Sequence, residues 1–197
     1  MEEYKLGPNG SMIYCMEFLQ ANIEWLKEKI KAVRESKGCK YFVFDLPGQV
    51  EIYSNHKSLK EIIQTLKKDL PMQFSAVHLV DCSYLYDKTR FLSALTLSLT
   101  AIIGMEMPFI NTISKIDLLK TLGRPGMNLS FYSAISGLKY LFFETQDEEL
   151  MKKPFMKKYG KLSTELCELI EKFNLVSYSM LDITNKMSIC HLVMQMD

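Results

Sequence analysis

At 197 residues the chain is long enough for one domain with a real core, and 48% hydrophobic with 24% charged residues excludes a disordered chain or a coiled coil. A formal net charge of +1, with Lys67-Lys68, Lys152-Lys153 and Lys157-Lys158 scattered among acids, gives no footprint for nucleic acid. No apolar run reaches the roughly 18 residues of a membrane span, Met1-Glu2-Glu3 does not open a secretory leader, and Cys15, Cys39, Cys82, Cys167 and Cys190 lack metal or disulfide spacing, so a cytoplasmic chain with reduced thiols and no membrane partner is expected.

In chain order, Ile13, Met16, Leu19, Ile23, Leu26 and Ile30 recur at steps of three and four, which predicts one amphipathic helix from Ser11 to about Glu35, with Ser11 as its N-cap. Tyr41 to Phe44 is short and wholly apolar, as expected of a strand buried on both faces of a parallel sheet. Leu59, Ile62, Ile63 and Leu66 mark a helix stopped before Pro71, and Phe74 to Val80 reads as the next buried strand. Phe91 to Ile102 forms a helix ending near Gly104, and Pro108 to Ile113 a further strand. Residues 121–160, with Gly123, Arg124, Pro125 and Gly126, read as a helical insertion. Tyr159 to Phe173 is a long amphipathic helix, Leu175 to Leu181 a last strand and Asn185 to Met196 a closing helix. Such alternation implies right-handed crossovers and a doubly wound, mostly parallel α/β sheet that places ligands at the carboxyl ends of its strands.

Two motifs sit at such ends. Asp45-Leu46-Pro47-Gly48-Gln49 follows the apolar run at Tyr41, where the Asp45 carboxylate suits a magnesium ion held through water and Gly48 admits a close phosphate. Gln49 could orient an attacking water, although Pro and Gly are also common punctuation after a strand. Ser114-Lys115-Ile116-Asp117 follows a later strand. Asp117 can accept from the N1–H and exocyclic amine of guanine, a donor pair that adenine does not offer, while the Lys115 stem lies along the purine face. The blander alternative is a helix start capped by Ser114 or Asp117. Gly160-Lys161-Leu162-Ser163 lacks the upstream glycine of a phosphate loop, His56, His78 and His191 lack ligand spacing, and the thirteen methionines read as core filler.

A third element precedes the first helix. Lys5-Leu6-Gly7-Pro8-Asn9-Gly10, with Tyr14-Cys15-Met16-Glu17, Asn22-Ile23-Glu24-Trp25-Leu26, the Asp45 to Glu51 segment, Ala76 to Asp81 and Asn111 to Leu118, resembles the GPN-loop GTPase family, most closely its second eukaryotic paralogue, over essentially the whole chain. The resemblance implies a dimeric switch of the P-loop NTPase type that binds GTP or GDP with Mg2+. Gly7, Pro8 and Asn9 would form the loop that reaches the partner subunit's nucleotide, with Asn9 at the terminal phosphate. Asp45 would join the magnesium shell, Gly48 would touch phosphate, Gln49 and Glu51 would hold the hydrolytic water, and Lys115 and Asp117 would read guanine. Met180 stands where the family usually has proline.

The implied biology is assembly and nuclear import of RNA polymerase, with polymerase subunits or assembly factors and a paralogue or second copy as partners, no direct nucleic-acid contact, and residence in the cytoplasm with shuttling to the nucleus. Gly-x-x-x-x-Gly-Lys-Ser/Thr occurs nowhere in the 197 residues. The resemblance therefore implies a single domain, 1–197, lacking the family's first strand and phosphate loop. In relatives that strand lies between the two represented by Tyr41–Phe44 and Phe74–Val80, so these are expected either to close on each other or to leave a marginally stable fold. A rival expectation is a hydrolysis-incompetent short form that pairs with a full-length relative, and a more distant one is an unrelated α/β enzyme.

Overall fold

Proline at the first helical position starts the first helix earlier than the apolar stripe does, because its fixed φ suits a helix and its missing N–H is not needed there. In the computed structural model, which describes residues 6–54, 56–123, 125–135, 137–138 and 154–196, α1 runs Pro8–Ala21 with Gly7 as its N-cap. The chain divides into two compact units, residues 1–74 and 75–197.

In the first unit the Ser11 hydroxyl donates back to the Gly7 carbonyl at 2.9 Å, so Ser11 lies inside the helix and is not its cap. The single helix expected from Ser11 to Glu35 is two. Asn22 separates α1 from α2 (Ile23–Lys37), because both its backbone N–H and its side-chain amide donate to the Phe18 carbonyl, at 3.1 and 2.8 Å. α3 (Val50–Ser54) and α4 (Ser58–Asp69) complete the unit, with α1 packed on α4. Met16, Ile30, Ile52, Leu59, Ile62, Leu66 and Leu70 are among its buried side chains, and Lys27 is ion-paired with Asp69 at 2.7 Å, tying α2 to the end of α4.

Residues 41–44 do not form the buried strand that their composition suggests. They belong to no helix or strand, Val43 is 97% exposed, and Phe44 stacks on Phe74 with ring centroids 6.2 Å apart. Apolarity supplies a reason to be buried, but a strand also needs a neighbour for its N–H and C=O groups, and none of the described strands pairs here. Of the two outcomes expected for this segment, pairing with the next strand or a marginally stable fold, the first is not seen: among the described residues no ladder joins 41–44 to a strand.

The second unit is a parallel sheet of β1 (Ala76–Asp81), β2 (Phe109–Ser114) and β3 (Tyr178–Met180), in that spatial order. A 3-10 turn at Cys82–Tyr86 and α5 (Lys88–Met105) connect β1 to β2. α6 (Leu119–Leu122), α7 (Leu129–Ala134) and α8 (Pro154–Phe173) lie between β2 and β3, and α9 (Lys186–Met196) follows. Asp87 caps α5 by accepting from the N–H groups of Thr89 and Arg90 at 2.8 and 3.0 Å. Of the expected insertion, residues 124, 136 and 139–153 lie outside the described residues.

Register places His78, Asn111 and Tyr178 side by side on one face, where Ser98 of α5 bonds the Tyr178 hydroxyl at 2.8 Å and His78 Nδ1 at 3.2 Å. Burial pushes the His78 pKa down and that of Tyr178 up to about 12, so both belong to a neutral, hydrogen-bonded core row. The apolar core continues on that face through Phe91, Leu95, Leu99, Ile113, Tyr132 and Ile170. On the other face Ser179 donates to Gln195 of α9 at 2.7 Å, so helices flank both sides of the sheet.

β1 has a neighbour on one side only among the described residues, and Leu79 is 57% exposed. The Ala76 N–H donates to Pro108 in the direction of β2, and backbone groups alternate along a strand, so the N–H groups of Val77 and Leu79 point to the open edge. Amide hydrogen exchange should therefore be fast at Val77 and Leu79 and slow at His78 and Val80. Equal protection of all four would show that the edge is covered.

Candidate nucleotide site

The best-defined geometry lies at the carboxyl ends of β1 and β2, where register sets Asp81 opposite Ser114. Ser114 Oγ donates to the Val80 carbonyl at 3.2 Å, and Cys82 Sγ donates to the Lys115 carbonyl at 3.1 Å, so two cross-strand bonds fix the start of the loop. Lys115 itself is left-handed, at φ 61° and ψ 33°, a conformation that non-glycine residues adopt at some cost. It turns the chain sharply out of β2 into the 3-10 turn Ile116–Leu118, whose entry is held by the Ile116 N–H donating to Leu181 at 3.3 Å.

Lys115 Nζ reaches back to Asp81 Oδ2 at 2.7 Å, while Asp81 Oδ1 accepts the Ser83 N–H at 2.9 Å. The hydrogen bond to Lys115, supported by that from Ser83, holds the Asp81 carboxyl below the usual carboxylate range, and the same pair raises the Lys115 ammonium. Burial, with the Asp81 charge beside it, pushes the Cys82 thiol up, which favours its neutral, hydrogen-bond-donating form. Asp117, on the same turn, is half-buried, and its carboxylate has no hydrogen-bond or ion-pair partner among the described residues, which leaves it available to a ligand. Thus Lys115 and Asp117 are brought together on one loop.

Sequence reasoning assigned no role to Asp81. The available signal was a carboxylate ending an apolar strand, the same feature that singled out Asp45.

The remaining candidates belong to the first unit. Asn9 is exposed in the first turn of α1, directly after Gly7 and Pro8. Asp45 and Gly48 are exposed in the loop before α3, Gln49 is half-buried, and Glu51 is exposed on α3, which Ile52 anchors in the core. Among the described residues no hydrogen bond or ion pair fixes the side chains of Asn9, Asp45, Gln49 or Glu51. A Cβ built on Gly48 meets open space, so the surrounding chain imposes no close approach there.

Mg2+ prefers oxygen donors and retains waters, commonly taking one or two carboxylates together with substrate phosphates. Asp45 supplies one such exposed carboxylate, and among the described residues no group of three His, Cys, Asp or Glu side chains could hold a metal ion. These residues fit a single position in a magnesium shell, held through water, and do not make a metal site alone.

A family model described as "Conserved hypothetical ATP binding protein" matches residues 1–197. Among curated relatives, GPN-loop GTPase QQT1 of Arabidopsis thaliana is 41% identical over the whole chain, which covers 63% of that protein. GPN-loop GTPase 2 of Danio rerio is 39% identical over the whole chain and 60% of its own length. GPN-loop GTPase 2 of Saccharomyces cerevisiae is 38% identical over 98% of this chain and 54% of its own. The chain thus spans between about half and two thirds of the length of these relatives. With the full-length family match and the carboxyl-edge loops in place, the chain belongs to the GPN-loop GTPase family, close to its second paralogue.

Proposed function

We propose that these residues are the base-reading and switch portion of a GTP-binding and GTP-hydrolysing molecular switch that works as a dimer, with itself or a paralogue, in assembling RNA polymerase and bringing it to the nucleus. One observation carries the guanine reading: Asp117, its carboxylate without a hydrogen-bond or ion-pair partner among the described residues, stands on the same turn as Lys115, whose ammonium is held 2.7 Å from Asp81 at the sheet's carboxyl edge. A carboxylate in that setting discriminates guanine by its two donors, N1–H and the exocyclic amine, and strands its own acceptors when adenine enters. Gln49 and Glu51 orient the hydrolytic water, Asp45 contributes to the magnesium shell, and Asn9, exposed at a helix start, is presented to the partner's terminal phosphate. Mg2+, when bound, would neutralise developing charge on the phosphates. The dimer, the polymerase client and the cytoplasmic and nuclear residence rest on the family resemblance.

The 197 residues contain no Gly-x-x-x-x-Gly-Lys-Ser/Thr, and therefore no backbone nest and no lysine for the phosphates. The polypeptide as it stands should bind GTP weakly and turn it over at background rate. Extended at its amino end with a relative's phosphate-loop segment, it should hydrolyse GTP in preference to ATP, and Gln49→Ala should remove most of that rate. Turnover by the unextended polypeptide that is lost on Gln49→Ala would refute the weak-binding claim. Equal use of ATP by the extended chain would refute the guanine reading. Background turnover that rises only when a full-length relative is added would assign these residues a partner role.

A further inference from the structure

The ion pair between Lys115 and Asp81 has a direction as well as a distance. The lysine springs from the end of β2, and the carboxylate that receives it belongs to the end of β1, one strand away. Adjacent strands lie about 4.8 Å apart. A lysine whose ammonium is anchored on the neighbouring strand must therefore lay its four methylenes across the gap, parallel to the sheet edge. Asp81 is itself anchored: Oδ1 accepts the Ser83 N–H at 2.9 Å, which leaves Oδ2 aimed at Lys115 at 2.7 Å. The backbone at both ends is also held, by Cys82 Sγ on the Lys115 carbonyl and Ser114 Oγ on Val80.

We infer that Asp81 is a positioning residue for base recognition: by holding the Lys115 ammonium at the end of β1 it turns the lysine stem into a flat apolar platform for one face of a purine. The inference rests on the guanine reading of the Lys115–Asp117 loop. Apolar stems of lysines cover hydrophobic surface while the charged head stays in water, and the Lys115 side chain, 59% exposed, has that division. Asp117 sets which base is accepted, and Asp81 sets how well any purine stacks. The two carboxylates therefore affect recognition differently. Loss of Asp81 weakens guanine and hypoxanthine by the same factor, because both offer the same π-face, whereas loss of Asp117 narrows the gap between them, because they differ by the exocyclic amine.

The experiment is a nucleoside titration of the 197-residue chain by 1H–15N NMR, with guanosine and inosine as uncharged probes, on the native chain, Asp81→Asn and Asp117→Ala. Relaxation of the Lys115 Cε is measured alongside. Asparagine retains an oxygen for the Ser83 N–H and replaces the charged acceptor that holds Lys115 with a neutral NH2 donor. Asp81→Asn should weaken both nucleosides about three- to fivefold, the range open to an exposed ion pair, with their ratio unchanged, and should release the Lys115 side chain into fast motion. Because the probes carry no charge, salt acts on their affinity through the ion pair: 0.5 M NaCl should weaken the native chain and leave Asp81→Asn unaffected. A Lys115 side chain equally mobile in the native chain and in Asp81→Asn would overturn the inference. So would unchanged nucleoside affinity, or a change in the guanosine-to-inosine ratio, in that variant. No perturbation of residues 114–119 by guanosine in the native chain would remove the guanine reading first, and the platform with it.

Discussion

Asp117→Asn is expected to weaken guanosine binding about thirtyfold and to strengthen binding of xanthosine. On the proposed guanine reading, the native carboxylate would accept from both the N1–H and the exocyclic amine of guanine, and a hydrogen bond to a charged group contributes about 1.5 to 3 kcal/mol. An asparagine keeps one acceptor and turns the other position into a donor, which meets the guanine amine donor to donor. Xanthine carries a carbonyl where guanine carries that amine, so the same asparagine is complementary to it. Because Asp117 is half-buried on a short surface turn and its carboxylate has no hydrogen-bond or ion-pair partner among the described residues, the exchange should leave the fold intact. The measurement is a nucleoside titration with guanosine, xanthosine and adenosine, on this chain or on one carrying a phosphate loop. If guanosine affinity is retained and xanthosine gains nothing, Asp117 does not read the base.

Leu95→Ala should cost the second unit about 3 kcal/mol, the range for removing a buried leucine where the surroundings relax only partly. Leu95 is fully buried on α5, in the cluster that joins Phe91, Leu99, Ile113, Tyr132 and Ile170 beneath the sheet. Its removal opens a cavity next to the ordered row of His78, Asn111, Ser98 and Tyr178, where a loosened helix would also strain polar bonds that burial has made costly to break. Thermal unfolding followed by circular dichroism should show a midpoint lower by roughly 10 °C. Leu162→Ala, at a half-exposed position on α8, should shift it by no more than about 2 °C. Equal shifts for the two variants would contradict the placement of α5 against the core.

The helices were largely legible because their signal is local. Leu59, Ile62 and Leu66 lie one turn apart, and the structure buries those three. Phe91, Leu92, Leu95 and Leu99 announced α5 in the same way. Two local readings failed for identifiable reasons. The apolar stripe runs through Leu19 and Ile23 without interruption, so it could not reveal that Asn22 turns its amide onto Phe18 and breaks the helix. The apolar run Tyr41 to Phe44 could not reveal that it lacks a strand to pair with, because pairing is a property of two segments and composition belongs to one.

The candidate site divides along the same line. Asp117 and Lys115 could be singled out because their spacing within one tetrapeptide is itself the chemical signature, and the structure sets both on one turn at the end of β2. Asp45, Gln49 and Glu51 were chosen from a contiguous segment in the same way, and among the described residues their side chains, in the loop and on α3, have no partner.

What the amino-acid order determined alone was the family, most of the alternation of helices and strands and the pairing of Lys115 with Asp117 on one turn, proposed to read the base, since each is written within a few consecutive positions. The tertiary structure alone decided that Asp81 meets Lys115 across 34 positions of chain, that His78, Ser98, Asn111 and Tyr178 form one row, and that β1 has a single neighbouring strand among the described residues. Those facts depend on parallel register, which brings distant residues to the same level of the sheet and leaves no periodic trace in either strand.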